Sequence, residues 1–276
     1  MMPDRRRWPA NTRVAAARLK GEVAVDRFVD PVTRAVVLPV ADLKAAPGGR
    51  RDRQVLFGER LNVYEVADGH AFVEAQKDGY TGYVAEAALA EAPAPTHIVC
   101  TAATHVYPAA DIKVPERFGL SLGARVQVIG TDAKFAQTPE GFIPIRHLRP
   151  LDSPEPDPVA VSERLIGTPY LWGGNSRAGI DCSGLVQAGC VACGIACPGD
   201  SDMQERELGA ALPEDATLKR GDLLFWKGHV AWVADETRIL HANGFDMAVV
   251  YEGIDAAIAR IEAQGDGKVT ARRRLG

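Results

Sequence analysis

An α+β domain behind two small β-barrels is the architecture the sequence predicts, on three observations. Two proline-rich stretches, 91–95 and 150–158, cut the chain into pieces, because proline removes a donor and fixes φ. The first two pieces share a weak repeat of short alternating strands. The third piece changes character, to helices followed by a run of strands. The expected domains are therefore 1–92 (an amino-terminal segment with the first barrel), 93–151 (the second barrel) and 152–276.

Within 1–35, the Ala-rich stretch 14–19 is compatible with a short helix. In the repeat, Phe57-Gly58-Glu59-Arg60-Leu61-Asn62-Val63 matches Leu122-Gly123-Ala124-Arg125-Val126-Gln127-Val128. Further on, Gly82-Tyr83-Val84 followed by Leu89 matches Gly141-Phe142-Ile143 followed by Leu148. Both copies read as period-two strands parted by turns such as Asp68-Gly69 and Asp78-Gly79. In the third piece a helix is expected over 159–166, then a Gly-rich turn at Tyr170-Leu171-Trp172-Gly173-Gly174. A second helix is expected over 182–193, with Asp181 as its N-cap and Gly194 as its stop. Strands follow over 222–226, 229–234, 238–242 and 247–251.

The 276 residues suffice for two or three small domains with a sizeable core. A net charge of −4 gives no basic field for nucleic acid. Arg5-Arg6-Arg7 and Arg272-Arg273-Arg274 read as solvated tails. The start MMPDRRRWPANTR lacks the run of about 7–15 apolar residues of a secretory signal. No window reaches the roughly 18 apolar residues of a membrane span. The expectation is a cytoplasmic protein with neither nucleic acid nor membrane as partner. Five cysteines, an odd number without a signal peptide, do not read as a disulfide framework.

The chemistry centres on Cys182. One residue past an N-cap, the helix dipole and unpaired N–H groups favour a thiolate, and the same amides suit an oxyanion. The competing reading is an ordinary buried thiol. Two histidines weigh on that choice. If the hairpin between them turns about Glu236, His229 and His241 point to one side, about 7–8 Å apart on a diagonal. One ring can then act as base and the other orient it. A one-residue slip reverses the faces. Cys190, Cys193 and Cys197 have ligand-like spacing, but Cys190 and Cys193 share an apolar helical face with Leu185 and Val186. No second pair of ligands accompanies them, so neither a metal nor a cofactor is expected.

The set Tyr170-x-Trp172-Gly173-Gly174, Asp181-Cys182-Ser183-Gly184, Gly221-Asp222-Leu223, His229-Val230-Ala231 and His241-Ala242 resembles the NlpC-type papain-like cysteine peptidases of bacterial peptidoglycan. The resemblance covers about 155–255. It implies a papain-like catalytic domain with helices packed on an antiparallel sheet. It also implies Cys182 as nucleophile, His229 as general base, His241 as the orienting third residue, and Tyr170 near the oxyanion. The late Gly-aromatic-Val strands of both repeats resemble bacterial SH3-like domains. The whole order is similar to the γ-D-glutamyl-L-diamino-acid endopeptidases of murein recycling. Their substrate carries a free amino-terminal L-Ala before D-Glu, and their first barrel closes one end of the cleft. On that likeness Asp200 and Ser201 bind the L-Ala amine, with Asp181 and Ser183 flanking the nucleophile. Glu59 and Tyr80 are the first barrel's candidates. A buried ammonium needs such acceptors, or its desolvation costs several kcal/mol. For Glu59 a solvated turn residue, for Tyr80 a surface aromatic and for Asp200 a turn residue stand as alternatives.

The expected reaction is hydrolysis of the γ-D-Glu–diamino acid bond, with diaminopimelate or Lys on the leaving side. Rival readings are an exported hydrolase of intact wall, a muropeptide-binding protein without activity, and a thiol acyltransferase or amidase. Oligomeric state is open on the sequence.

Overall fold

The computed structural model describes residues 4–276. Two compact units result: residues up to Val99 join Ala103–Leu151, and Cys100–Ala102 join Asp152–Gly276.

In the amino-terminal unit a seven-stranded sheet forms the first β module, with strand order 51–56, 40–44, 81–85, 70–75, 60–67, 32–36 and 89–90. Its core holds Leu43, Leu61, Val73, Tyr80 and Val84. The Ala-rich stretch is not a helix. Val14–Ala16 is a strand in parallel register with Arg27–Val29, followed by one 3-10 turn. Its three residues are wholly buried against Tyr64 and Phe72, so packing overrides alanine's helix propensity.

The sequence repeat is a repeat of backbone geometry. Gly58 and Gly123 both take positive φ, +74° and +89°, in matching turns: Glu59 N–H donates to Leu56 O, and Ala124 N–H donates to Ser121 O. Each late strand (Thr81–Ala85, Gly141–Pro144) runs into a 3-10 turn and a short closing strand that begins at Leu89 or Leu148. The second module has its own core of Val99, Val106, Leu120, Val126 and Ile143, into which Phe57 of the first module inserts. Arg125 N–H donates to Phe57 O at 2.8 Å. That exchange places Gly58 directly under the Arg125 carbonyl, where any Cβ would overlap it. The two modules are thus one folded body.

The carboxy-terminal unit has four helices: α1 (Pro158–Glu163), α2 (Cys182–Ala192), α3 (Ser201–Glu207) and α4 (Ile254–Ala263). Its sheet has six strands: β1 (Ala210–Ala211), β2 (Asp222–Trp226), β3 (His229–Val233), β4 (Arg238–Asn243), β5 (Ala248–Gly253) and β6 (Ala271–Arg274). The order is β1-β6-β2-β3-β4-β5, with every neighbour antiparallel. Helix α2 packs on β3 and β4, and α1 packs on α2. The helix pair closes at Gly189, which lies against Pro158 O and the Ser162 hydroxyl. Ser162 in turn donates to Pro158 O and to Leu185 O. Asp157 caps α1 by accepting from Val159 N–H and Ala160 N–H.

The arginine runs are not tails. Arg272–Arg274 lie in β6, where Arg274 donates to both oxygens of Asp222 at 2.7 Å. A carboxylate buried to 1% exposure demands such a partner, and that demand pulls the segment into the sheet. Arg5–Arg7 form a 3-10 turn, with Arg5 paired to Asp52 and Arg6 to Asp4. No helix among the described residues is long and apolar enough to cross a membrane.

Gly58→Ala is expected to destabilise the amino-terminal unit by at least ~1–2 kcal/mol, since it meets both a positive φ and a carbonyl. Urea unfolding of the variant checks this; Gly69→Ala is the control, with positive φ but open space around its Cβ.

Candidate active site

The amino end of α2, where Cys182 lies, is built on Asp181. Its Oδ1 accepts from Gly184 N–H at 2.7 Å and from the Ser183 hydroxyl at 3.0 Å. Its Oδ2 accepts from Gly173 N–H at 2.9 Å. One carboxylate therefore caps the helix and ties down the Gly173-Gly174 turn. Gly184 packs directly on Gly174 O and Asn175, where a Cβ would collide. Cys182 follows, 6% exposed, with its sulfur 4.0 Å from Gly228 O. The amides of Val230, Ser183 and Cys182 itself also bear on the thiol. Gly228 and Val230 flank His229, so the sulfur lies beside the start of β3.

Register brings the second histidine in. Trp232 pairs with Leu240 and Val233 with Ile239, which centres the hairpin on Glu236. His229 and His241 then share a face, and His229 Nε2 lies 3.0 Å from His241 Nδ1. His241 is fully buried. Beyond it, Asn243 Nδ2 is 2.9 Å and Glu252 Oε2 3.2 Å from His241 Nε2. Glu252 is gripped by Arg260, whose Nε and terminal nitrogen donate to its two oxygens at 2.8 and 2.7 Å. The order outward from His229 is thus imidazole, imidazole, carboxylate, guanidinium, with the thiol on Gly228 O beside the first ring's backbone.

This geometry coincides with what sequence comparison finds. Residues 167–260 match the NlpC/P60 family, and residues 43–89 match the bacterial dipeptidyl-peptidase SH3 domain. The carboxy-terminal unit carries an NlpC/P60 domain. The chain is 40% identical over 80 residues to dipeptidyl-peptidase 6 of Lysinibacillus sphaericus, 28% of each chain. It is 34% identical over 109 residues to a γ-D-glutamyl-L-lysine dipeptidyl-peptidase of Bacillus cereus, covering 36% of this chain and 32% of that one. It is 40% identical over 81 residues to murein DD-endopeptidase MepH of Escherichia coli, covering 29% and 30%. The matches thus take in about a third or less of each curated relative. A solved NlpC/P60 family protein from Bacillus cereus superposes with a TM-score of 0.73 at 20% identity, over 88% of this chain and 99% of that one, a likeness of fold.

Within the NlpC/P60 domain, Cys182, His229 and His241 come together. Tyr170 is near enough to Cys182 and Asp181 for their charges to act on its hydroxyl; burial first, then those charges, push its pKa up, so it stays a proton donor. Asp200 and Ser201 open α3. Their helix is tied to the amino end of α2 by Gln204, a residue without an obvious sequence signal, whose amide donates to Ser183 O and Pro198 O at 3.0 Å. Asp181 and Ser183 are bonded to each other and to the helix, so their observed work is holding the turn. Cys190 is fully buried in the core. A concavity of about 620 Å³ opens beside His229, lined by Trp172, Lys227, Phe245, Arg260 and Asp266 among others.

In the amino-terminal unit Glu59 is not a solvated turn residue. It is 4% exposed and paired to Lys77 at 2.8 Å, while its other oxygen is buried without a hydrogen-bond partner. Nor is Tyr80 a surface aromatic: it belongs to the barrel core at 3% exposure, with the Arg53 guanidinium 5.5 Å from its ring centroid.

The expected low thiol pKa is not what the site produces. Burial, reinforced by the Asp181 charge, pushes Cys182 up to about 12, and the three amides only partly offset this. Burial also pushes His229 down to about 3, helped by His241 and Arg260 and opposed by Glu252. His241 falls to about 4, from burial and the Arg260 charge, with Asp246 opposing. The resting site is a neutral thiol beside neutral imidazoles, because desolvation outweighs a single helix terminus.

Two outcomes follow. Alkylation of Cys182 by iodoacetamide, followed on its own peptide, is expected to climb with pH through 9; a plateau already reached in the acid range would mean a preformed thiolate. The histidines also make the stability of the fold sensitive to acid. Their folded pKa values lie below the ordinary 6.5, so the unfolded chain binds more protons between these limits. That contribution is complete above pH 6.5 and is lost as pH falls towards 4 and 3. In urea titrations across this window, His241→Asn is expected to show a shallower loss than the wild type.

Proposed function

We propose that the chain is a cysteine peptidase of murein peptides, cleaving the γ-D-Glu–L-diamino acid bond behind a free amino-terminal L-Ala. The observation that carries this reading is the His229–His241 ring pair, with the Cys182 sulfur on Gly228 O next to His229, inside a matched NlpC/P60 domain. The accompanying SH3 match, to a domain named for dipeptidyl-peptidases, supports a small-peptide substrate. In this reading the second module, built on the same repeat, is a second SH3-like barrel, and the enzyme works in cell-wall peptide recycling in the cytoplasm.

The steps follow from the neutral resting site. Substrate binding places the γ-carbonyl of D-Glu over the amino end of α2. His229 Nδ1 takes the Cys182 proton as the sulfur attacks, so the ion pair forms only with the new C–S bond. Amides of α2 and the Tyr170 hydroxyl donate to the tetrahedral oxyanion. The intermediate collapses, the diamino acid leaves as an amine, and His229 returns the proton to it. Water, deprotonated by His229, then attacks the thioester and releases L-Ala-D-Glu with the free thiol. The assigned acceptors for the L-Ala ammonium are Asp200 and Ser201, which open α3. No cofactor enters any step.

A second reading is favoured by the similarity to murein DD-endopeptidase MepH, whose name describes cleavage in murein itself. Incubation with L-Ala-γ-D-Glu-meso-diaminopimelate and its N-acetylated twin, analysed by mass spectrometry, separates the two. Release of L-Ala-D-Glu from the free-amine peptide alone, lost in Cys182→Ala, is the expected result. Equal cleavage of both removes the amine-reading role and favours a hydrolase of intact wall; cleavage of neither removes the γ-D-glutamyl specificity, and release of peptides from intact murein then decides for the second reading.

A further inference from the structure

The inner pair of rings leaves one proton position undecided, and the outer residues decide it. Two neutral imidazoles in an Nε2···Nδ1 contact share a single proton between those nitrogens. If His229 Nε2 carries it, His229 Nδ1 has a free lone pair, and His241 carries its own proton on Nε2. If His241 Nδ1 carries it, His229 Nδ1 is protonated and cannot accept from Cys182. Only the first arrangement is a base. In the second, moreover, uptake of a proton at His229 would set two N–H groups against each other.

The groups around His241 pull in opposite directions. Asn243 is pinned by Asp246: its Oδ1 accepts from Asp246 N–H at 2.7 Å, and its Nδ2 donates to Asp246 Oδ2 at 3.0 Å. Its amide nitrogen is therefore held towards His241 Nε2 and favours the unproductive form. Glu252 presents a carboxylate oxygen to the same nitrogen and favours the productive form. The carboxyl group is held by both its oxygens on the Arg260 guanidinium, whereas the amide has, among the described residues, no charged partner at its nitrogen beyond Asp246; charge-assisted contacts are roughly twice as strong as neutral ones.

We propose that Glu252, held by Arg260, is a positioning residue that fixes His241 as the Nε2–H tautomer and so keeps His229 Nδ1 free to take the Cys182 proton. Glu252 touches neither substrate nor sulfur and acts through His241. When His229 becomes an imidazolium, the same carboxylate lies at the far end of the two rings and offsets its charge. Arg260 opposes that charge, so the Glu252–Arg260 pair balances the site instead of flooding it. The groups around the two rings are Asn243 at the end of β4, Asp246 in the turn after it, Glu252 from β5 and Arg260 from α4, with the Cys182 sulfur on Gly228 O beside His229. This proposal rests on the peptidase reading for its kinetics, but not for its tautomer.

The test therefore begins with nitrogen-15 NMR of the histidine side chains in the whole wild-type protein near pH 7. His241 is expected with Nε2 protonated and Nδ1 bare; the reverse overturns the proposal whatever the enzyme cleaves. Glu252→Gln is expected to shift His241 towards the Nδ1–H form. It should lower kcat on the tripeptide about 10- to 100-fold with KM changed less than about twofold. Adding Asn243→Ala to that variant removes the opposing donor, and should restore part of kcat and of the wild-type spectrum. A loss of kcat with an unaltered tautomer, or no rescue in the folded double variant, overturns the positioning role. An inactive wild type with the expected tautomer removes the peptidase reading and leaves the proton placement standing.

Discussion

The structure depends on the pairing register of β3 with β4. Opposing Trp232 to Leu240 sets His229 and His241 on one face, close enough for their ring nitrogens to meet at 3.0 Å. A shift of one residue sends one ring to the other side of the sheet and leaves a polar group facing the apolar side. Both faces are costly to misassign. Trp226 and Trp232 are almost completely buried, as are Leu224, Ala231 and Ile239. The hydrophobic pattern thus enforces the register, and the register makes the site.

What the helix terminus does at Cys182 is subtler than charge alone suggests. A dipole end and a few amides favour a thiolate by a modest amount, and Asp181, needed as the cap, works against it. Taking the sulfur out of water costs more than the amides return. The cap is indispensable because it ties Gly173-Gly174 to α2, and Gly184 allows that turn to lie on the helix. The fold accepts a poorly ionised thiol in exchange for a fixed one. In the proposed reaction, activation then accompanies substrate, when new dipoles enter and charge develops on the acyl oxygen as well as on the sulfur.

Residues whose role is local were legible in the sequence. The cap at Asp181, the stop at Gly194, the β2 strand and the alternation that aligns the histidines follow from short-range rules. The repeat was legible too, because its glycines answer to backbone need at Gly58 and Gly123. What escaped depends on distant partners. Arg274 looks like a tail until Asp222 is known to be buried beneath it. Gln204 looks like any helix glutamine until its amide meets Ser183 O. Glu252 and Arg260 sit on an exposed-looking strand end and an amphipathic helix, and only the β4–β5 register and the packing of α4 bring them to His241.

The outer pair also explains how the site accommodates an arginine so near the proposed general base. Alone, the Arg260 cation lowers both imidazoles and disfavours the very imidazolium that catalysis requires. Alone, the Glu252 carboxylate would hold a proton on His241 and tie up a ring at neutral pH. Bound to each other through two hydrogen bonds, they present His241 with a directional acceptor but little net charge. Direction without charge is what a chain of neutral rings needs: the tautomer is chosen, yet the proton affinity of His229 is left for the substrate to raise. The contact of the Arg260 guanidinium on the Phe245 ring, 4.7 Å from its centroid, holds this pair at the edge of the pocket beside His229. The same side chains thereby set the proton at the inner end of the site and shape the surface at its outer end.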